Sequence, residues 1–315
     1  MPEKISTRVA YGEALAECGA DKNIVVFDAD LSICTMSCIF RDKYPKRFFE
    51  SGIAEANMIG MAAGVATTGK IVFCNSFATF TAGRAYDQIR NSVAYPHLNV
   101  KIVGTHAGLS AGEDGPTHQC IEDLALMRAI PGMTVICPSD TNETKAAVHA
   151  VIKYDGPCYL RLGRLPVDPV TDNKEGYHFK IGKGVQMCQG RDVTLIATGI
   201  MVQKAVKAAE LLQTEGVSAR VIDMHTIKPI DRDIILKAAA ETGAIVTAEE
   251  HNILGGLGGA VAEIVAEANP VPVLRVGVND RFGHSGTALQ LMQRYGLTAE
   301  HITKQAKLAI KMKKP

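Results

Sequence analysis

One short loop of this sequence is dense in groups that could do chemistry. Residues 112–119 read Gly-Glu-Asp-Gly-Pro-Thr-His-Gln, so two carboxylates, an imidazole, a hydroxyl and an amide lie close together. The loop follows an apolar run over residues 100–103, which predicts a strand, and it precedes a segment over 120–127 that predicts a helix. Ligands of open α/β sheets bind in the loops at the carboxyl ends of strands. We therefore expect this loop to bind a polar substrate.

A carboxyl group at the front of an apolar helix is the second candidate. Glu55 lies in Gly-Ile-Ala-Glu-Ala-Asn-Met, just before the alanine-rich segment over residues 58–67. Small apolar neighbours leave room for a ligand, and a carboxyl group in such a pocket keeps its proton at a higher pH than an exposed one. It could then exchange a proton with a ligand near neutral pH. Taken alone, Glu55 is explained more simply as an acid favoured in the first turn by the helix dipole.

Two aromatic side chains are expected at the carboxyl edge of a sheet. Phe77 and Phe80 follow an apolar run over residues 70–74, which predicts that both lie at the carboxyl edge of the sheet. Flat rings at that edge could stack on the ring of a bound ligand. For either phenylalanine alone, the simpler explanation is a place in the hydrophobic core.

The pattern of apolar residues predicts an α/β fold. Short apolar runs alternate with longer segments of helical spacing, which implies βαβ crossovers and a parallel sheet covered by helices on both faces. In the first half of the chain the predicted helices cover residues 7–18, 58–67, 82–94 and 141–153, and the predicted strands cover 23–27, 70–74, 100–103, 134–137 and 157–162.

The pattern stops and later resumes, which predicts two domains. Prolines, glycines and charged residues interrupt the alternation over residues 163–190, and it begins again at residue 192. We predict a parallel-sheet α/β domain over residues 1–165, a linker with room for a short strand over 166–190, and a smaller α/β domain over 191–315. In the smaller domain the predicted helices cover 202–216, 232–242 and 257–268, and the predicted strands cover 193–197, 219–222, 244–247 and 271–276.

Composition and charge exclude several classes of protein. The 315 residues are 47% hydrophobic and 21% charged, which is ordinary for a soluble globular protein. With 34 basic and 33 acidic side chains, the chain has no net field that would attract nucleic acid or a membrane. We recognise no signal peptide and no apolar run long enough to span a bilayer, so we expect a cytoplasmic protein with mostly buried free thiols. The basic residues over 304–314 fit an exposed helix face.

Read in chain order, these segments resemble the pyrimidine-binding and C-terminal domains of transketolase, a thiamine diphosphate enzyme. The resemblance spans nearly the whole chain, and the loop over 112–119 is its most specific motif. Besides that loop and Gly-Ile-Ala-Glu, the matching segments are Phe-Asp-Ala-Asp-Leu at 27–31, Thr-His at 105–106, Cys-Pro-Ser-Asp at 137–140, Leu-Gly-Arg at 162–164, Glu-Glu-His at 249–251 and Gly-Gly-Leu-Gly-Gly at 255–259.

The resemblance implies that four side chains face the cofactor. Glu55 would be the carboxylate against the aminopyrimidine ring and the first catalytic residue. Phe77 and Phe80 would stack around that ring, and Asp30 would lie near the cofactor at a subunit interface. Thiamine diphosphate would carry the chemistry, while the protein would position and tune it.

Four further side chains are implied on the substrate side. His106 and His118 would contact the sugar or its phosphate and share in catalysis, because an imidazole can donate or shuttle protons near pH 7. Asp114 would bond to a substrate hydroxyl, and Arg164 would bind the phosphate end, whose oxygens match the guanidinium fork. For His118 the alternative is a hydrogen bond that organises the loop around Asp114.

The same resemblance implies that this chain holds only half of an active site. The family binds the diphosphate and its metal with a Gly-Asp-Gly turn and a later asparagine. Here the segment 113–115 with Asn142 lacks the first glycine, and it overlaps the loop over 112–119, which we call the substrate loop. We therefore treat this similarity as a coincidence and expect no metal ligand in this chain. Neither His251 nor the glycine-rich segment 255–259 has the spacing of a metal or dinucleotide site; the glycines are predicted to permit close backbone packing.

The resemblance therefore predicts the C-terminal subunit of a split transketolase. This transferase of the pentose phosphate pathway would move a two-carbon ketol unit between sugar phosphates. A separate N-terminal subunit would supply the diphosphate site and its Mg²⁺ or Ca²⁺, so activity would require both chains in an oligomer, either a homodimer or a heterotetramer.

Three alternatives remain open at this point. Gly-Ile-Ala-Glu and Arg-Ala-Tyr-Asp-Gln at 84–88 also resemble deoxyxylulose phosphate synthase. A 2-oxo-acid dehydrogenase beta-like subunit would share the split arrangement. The loop over 112–119 favours transketolase over both of these enzymes. Outside the enzymes, the chain could be a non-catalytic regulatory partner that kept the fold.

Overall fold

The computed structural model of the chain describes residues 4–171 and 176–313. In these ranges the strands are, in chain order, Ile5–Ser6 (β1), Ile24–Asp28 (β2), Phe48–Glu50 (β3), Ile71–Phe77 (β4), Val100–Thr105 (β5), Thr134–Ile136 (β6), Cys158–Arg161 (β7), Pro166–Val167 (β8), Val185–Cys188 (β9), Val193–Ala197 (β10), Ala219–Asp223 (β11), Thr226–Lys228 (β12), Ile245–Asn252 (β13) and Val273–Val278 (β14). The α-helices are Thr7–Cys18 (α1), Ser32–Thr35 (α2), Cys38–Lys43 (α3), Glu55–Ala66 (α4), Tyr86–Gln88 (α5), Asp123–Ala129 (α6), Thr141–Lys153 (α7), Met201–Thr214 (α8), Arg232–Thr242 (α9), Leu257–Ala268 (α10), Ala288–Arg294 (α11) and Ala299–Lys311 (α12). Two π-helical turns, Phe80–Arg84 and Ile89–Ala94, flank α5, and 3-10 turns cover Pro45–Arg47 and Leu109–Asp114.

The larger sheet positions the candidate site. Across the described ranges it has seven strands in the order β12-β6-β7-β5-β4-β2-β3, parallel throughout except where β12 meets β6. The chain leads from β2 to β3 on one side and from β4 to β5 on the other. The loops after β2 and β4 therefore leave in opposite directions and open a crevice at the carboxyl edge of the sheet.

The smaller sheet belongs to the second half of the chain. Its order is β14-β13-β10-β11-β9, and its neighbours are parallel except β9 with β11. A separate antiparallel ribbon pairs β1 with β8. The two largely parallel sheets, covered by helices, confirm the predicted α/β class.

Alternate residues of the central strands enter different hydrophobic cores. In β2, Val25 and Phe27 lie in a core that includes α4, whereas Ile24 and Val26 lie in the core formed with α1 and α7. The core around α4 also contains residues of β11, β13, α9 and α10 from the second half of the chain. The two sheets consequently share one continuous apolar interior.

Several predicted helices have the predicted bounds. α1, α7, α9 and α10 begin and end at the residues expected from their apolar spacing. Two of them start at acidic caps: the Asp140 carboxylate accepts a hydrogen bond from the Glu143 backbone at α7, and Asp231 accepts one from Ile234 at α9. Such caps satisfy backbone N–H groups that have no partner inside the helix.

Two other helix predictions are wrong in detail. Residues 82–94 do not form a continuous α-helix, because the two π-helical turns widen the chain on either side of α5. The helix predicted from residue 120 begins at Asp123 instead, since Cys120 forms a bridge with Ala107 and the Ile121 carbonyl accepts a bond from Asn252. Tertiary contacts thus replace the first turn of the helix that was predicted from residue 120.

The predicted domain bounds stay a prediction, but the linker contains strands and one strand of the second predicted domain pairs with the sheet of the first. The predicted linker over 166–190 contains the two strands β8 and β9. β12, from the predicted second domain, forms the outer strand of the first sheet. Within the described ranges, no helix combines the length and the apolar character that crossing a membrane requires. The structure joins none of its cysteines in a disulfide over these residues; Cys74, Cys120, Cys137 and Cys158 are buried.

Candidate active site

The predicted site residues converge on the carboxyl edge of the larger sheet. Phe77 is the last residue of β4, His106 follows β5, Arg164 follows β7 and Asp30 follows β2. These strands are parallel neighbours, so their carboxyl ends lie at one edge. The convergence expected from the strand pattern is therefore present.

Glu55 is the first residue of α4 and is only 4% exposed. Its Oε1 lies 3.2 Å from Nη1 of Arg84, whose side chain is 55% exposed. The Arg84 guanidinium carbon in turn lies 4.1 Å from the centre of the Phe80 ring. Arg84 therefore holds the carboxylate and one aromatic ring together, and it reaches them from the π-helical turn that sequence periodicity did not predict.

Two aromatic rings and two imidazoles form one cluster beside this ion pair. The Phe77 and Phe80 rings are stacked, with centroids 5.8 Å apart and planes 17° apart. His106 stacks on Phe77 at 4.0 Å, and the edge of His118 meets Phe80 at 5.2 Å. A chain of contacts thus runs from Glu55 through Arg84 and Phe80 to His118. Phe77 is buried whereas Phe80 is partly exposed, so Phe80 presents more ring surface to a ligand.

His106 is buried, and its backbone has a left-handed φ of 55°. Burial, together with the nearby Arg8, Arg164 and His118, lowers the pKa of His106 to about 3. The imidazole is therefore neutral at physiological pH, with Nδ1 3.0 Å from the Thr105 hydroxyl. A neutral imidazole can donate one hydrogen bond and accept another, as a sugar hydroxyl requires.

Arg164, which follows β7, holds the substrate loop in place. Arg164 Nη1 donates to the Ala111 carbonyl at 2.7 Å and lies 3.5 Å from Oδ2 of Asp114 and 3.9 Å from Oε2 of Glu113. Arg164 and Asp114, which were given separate roles toward the substrate, are thus brought together. His118 Nδ1 lies 2.9 Å from the Thr117 hydroxyl, a contact that helps to order the loop and leaves its role in chemistry a prediction.

Asp30 lies at the margin of this cluster. Its side chain is exposed, its φ is 61°, and its backbone N–H donates to Glu50 Oε1 at 2.6 Å. Glu50 ends β3, the strand that leads into the Glu55 segment. Asp30 therefore lies beside the start of the segment that leads from Glu50 to Glu55. Its contact with a cofactor remains a prediction.

Two arginines were missed by reasoning from the sequence. Arg84 carried a signal, because it follows the two phenylalanines closely, but a regular helix would have pointed it elsewhere. Arg8 lies on α1, donates to the Cys34 carbonyl at 2.6 Å, and comes near His106 and Arg164 only through the fold. Burial lowers the pKa of Arg8, and Arg164 lowers it further. Two guanidinium groups around a neutral imidazole suit an anionic substrate.

The segments set aside as coincidences have structural roles. Glu249 accepts hydrogen bonds from Leu257 and Gly258 at the start of α10. A Cβ on Gly256 would lie 2.0 Å from Glu249 Oε2, so the glycine permits the close packing that was predicted. Asn142 Nδ2 donates to the Thr171 hydroxyl at 3.2 Å.

Two family models match the chain. The transketolase pyrimidine binding domain matches residues 3–168, and the transketolase C-terminal domain matches residues 182–302. Because the two matches together cover most of the sequence, they account for both sheets.

Individual transketolases and transketolase subunits are also similar to this chain in sequence and structure. A Methanocaldococcus jannaschii protein, provisionally described as a transketolase C-terminal section, is 51% identical over 95% of this chain and 94% of its own length. The 6-deoxy-6-sulfo-D-fructose transketolase subunit SqwH of Clostridium sp. is 46% identical over 91% of this chain and 88% of its own length. A solved structure titled as a split gene transketolase, inactive beta4 tetramer, has a TM-score of 0.90 and 48% identity, covering 99% of this chain and all of that one. Human transketolase is 40% identical, but the match covers only 48% of its length. This chain belongs to the transketolase family.

Proposed function

We propose that this chain is the C-terminal subunit of a split thiamine diphosphate-dependent transketolase that transfers a two-carbon ketol unit between sugar phosphates. The buried Glu55 carboxylate, joined through Arg84 to the Phe77–Phe80 ring pair, carries the proposal. A flat aminopyrimidine fits such a setting, because the rings can stack on its face while the carboxyl group meets a ring nitrogen.

In this proposal, one group of side chains binds the cofactor and another binds the sugar phosphate. Glu55 holds or releases a proton at its Oε atoms against the ring nitrogen, while Phe80 and Phe77 exclude water from the ring face. Neutral His106 and Asp114 position sugar hydroxyls, and Arg164 binds the phosphate end. Thiamine diphosphate, when bound, supplies the stabilisation of the two-carbon unit during its transfer.

A partner subunit is proposed for the diphosphate half of the site. In residues 4–171 and 176–313, no three His, Cys, Asp or Glu side chains are grouped so that they could hold a metal ion. The matching split transketolase structure has the same extent as this chain, whereas human transketolase is about twice as long as the match. We therefore assign the diphosphate and the Mg²⁺ or Ca²⁺ to an N-terminal subunit of a homodimeric or heterotetrameric assembly.

The surface around Glu55 suits such a partner. Ile53 is 77% exposed and Met61 is 38% exposed, and a Cβ added at Gly60 or Gly64 on α4 would meet open space. Apolar and small residues on an exposed helix face are typical of an interface that another chain covers. This supports a site that is completed at a subunit interface.

Reconstitution tests the proposal. The chain is mixed with an N-terminal transketolase subunit, thiamine diphosphate and magnesium, and ketol transfer is measured with xylulose phosphate as donor. Activity is expected only in the mixture, and Glu55→Gln is expected to abolish it without lowering the melting temperature. Glu17→Gln, at an exposed position of α1, is the matched control and should retain full activity.

The outcomes separate the alternatives. Robust turnover by the chain alone would refute the split site, and a near-normal rate for Glu55→Gln would remove that residue from the mechanism. Condensation of pyruvate with glyceraldehyde phosphate would favour a deoxyxylulose phosphate synthase, and decarboxylation of 2-oxo acids would favour a dehydrogenase beta subunit. Binding of the partner without any turnover would favour a regulatory subunit.

A further inference from the structure

The turn that carries Asp114 is enclosed by the second half of the chain. Leu109–Asp114 is a 3-10 turn bent at Gly112, where φ is 76° and ψ is −124°. It packs against α11, and Gly112 lies close to the backbone of Ala288. A conformation that only glycine adopts easily needs outside support to stay fixed.

Glu250 supplies that support at one end of the turn. It lies on β13 and is 3% exposed. One carboxylate oxygen accepts a hydrogen bond from the Ser110 backbone N–H, and the other accepts one from the Ser110 hydroxyl at 3.2 Å. A Cβ on Gly108 would lie 2.3 Å from the Glu250 carboxyl carbon, so the chain passes the carboxylate as closely as a glycine allows.

Gln119 supplies the support at the other end. It is 4% exposed, and its Nε2 donates to the Gly112 carbonyl at 2.8 Å and to the His284 carbonyl at 2.9 Å. One amide group therefore joins the turn to a loop of the second half. These hydrogen bonds reach the sugar side of the site, while Arg84 separately holds Glu55 on the cofactor side.

We propose that Glu250 and Gln119 are positioning residues that fix the sugar-binding turn, so the C-terminal domain takes part in catalysis by holding Asp114 in place. Two buried hydrogen bonds from Ser110 end on the Glu250 carboxyl group, and such bonds are costly to leave unmade, so loss of Glu250 releases the turn. For its kinetic consequence this inference rests on the proposed transketolase activity. Its structural consequence does not.

The neighbouring Glu249 is a matched control. It is 1% exposed and accepts two backbone hydrogen bonds, as a comparable buried acid, but it holds α10 of its own half rather than the turn. Replacing either glutamate by alanine destabilises the protein, whereas only Glu250→Ala releases the turn.

The kinetic test uses the reconstituted complex. In Glu250→Ala the KM for the sugar phosphate should rise about tenfold or more, since two buried hydrogen bonds to the turn are lost. The half-saturating concentration of thiamine diphosphate should stay the same. Glu250→Gln should restore most of the loss because its amide oxygen can still accept from Ser110, and Gln119→Leu should act like Glu250→Ala. An unchanged KM in Glu250→Ala, or an equal rise in Glu249→Ala, would overturn the inference.

Hydrogen exchange tests the structural half on the single chain, without any activity. Peptides spanning residues 108–119 should exchange about tenfold faster in Glu250→Ala than in Glu249→Ala. Gly108→Ala, which sets a methyl group against the Glu250 carboxyl group and places alanine at a φ of 82°, should speed exchange of the same peptides in a chain with both glutamates intact. Unchanged exchange in both variants would refute the inference even if ketol transfer is found. Faster exchange in a complex that lacks ketol transfer would refute the proposed function and leave the positioning role standing.

Discussion

Two buried carboxyl groups at the junction of the sheets should make the protein less stable as the pH rises. Glu143 on α7 and Asp223 at the end of β11 are both fully buried. Glu143 accepts hydrogen bonds from the Ser139 backbone at 2.7 Å and from the Tyr177 hydroxyl at 2.6 Å, while Asp140 adds a nearby negative charge. Burial raises the pKa of Glu143 from 4.5 to about 7, and burial beside Glu143 raises the pKa of Asp223 well above its usual range.

The direction and size of the effect follow from these pKa values. Between pH 4.5 and about 7 the unfolded chain has released the Glu143 proton while the folded chain still holds it. The free energy of unfolding therefore falls as the pH rises through this window, and it is highest below it. At about 1.4 kcal/mol for each pKa unit, the loss from Glu143 is on the order of 3 kcal/mol.

Glu143→Gln removes this cost. Glutamine has no proton to lose, and its amide can donate to Asp223 while its oxygen still accepts a hydrogen bond. At pH 8 the variant should melt roughly 5 °C or more above the parent chain, and at pH 4.5 the two should melt within about 2 °C of each other. Differential scanning calorimetry at both pH values measures the shift.

The control is an acid on the neighbouring helix. Glu13 on α1 is partly exposed, and its Oε2 lies 3.1 Å from Lys145 Nζ. Since exposed ion pairs contribute about 0–1 kcal/mol, Glu13→Gln should change the melting temperature little at either pH. If Glu143→Gln gave the same shift at pH 4.5 and pH 8, or lowered the melting temperature at pH 8, the reasoning about the shared buried charge would be refuted.

The remaining predictions concern the substrate and the fold. In the reconstituted complex, Arg164→Gln should raise the KM for a phosphorylated ketose by about tenfold or more and that of an unphosphorylated ketose much less, through the loosened loop alone; equal effects on both would exclude phosphate binding by Arg164. Asp123→Asn should lower the free energy of unfolding by about 3–5 kcal/mol, because it removes the charge that faces the buried Arg161 at 2.8 Å. Urea denaturation measures this loss, and a change below about 1 kcal/mol would contradict the assigned role of the pair.

The edge of the sheet and its loops could be predicted because the signals are local. Apolar runs marked β4 and β5, and parallel strands end at one edge, so the place of Phe77 at the carboxyl edge followed from the pattern, whereas His106 was named through the resemblance. The roles of Asp114 and Arg164 came instead from the resemblance to a known family, and their contact was not predicted, since no local pattern joins residues 50 positions apart.

The features that were missed depend on contacts between distant segments. Arg84 reaches Glu55 because a π-helical turn shifts it relative to a regular helix, and such a turn leaves little trace in apolar spacing. The bond from Ser110 to Glu250 joins residues 140 positions apart. Arg8 likewise approaches His106 only after α1 has packed onto the sheet. In each case packing, and not local preference, selects the partner.

The antiparallel pairing of β12 with β6 means that the first half of the chain cannot be cut away cleanly. Without Thr226–Lys228, β6 would become the outer strand of the larger sheet. Its unpaired backbone N–H and C=O groups could then form hydrogen bonds with a strand of another molecule. A truncated fragment that ends near residue 165 would thus have an unpaired edge strand that favours aggregation, and it would expose apolar side chains of the shared core to solvent. Expression of the intact chain, rather than of its halves, is the practical route to a well-behaved sample.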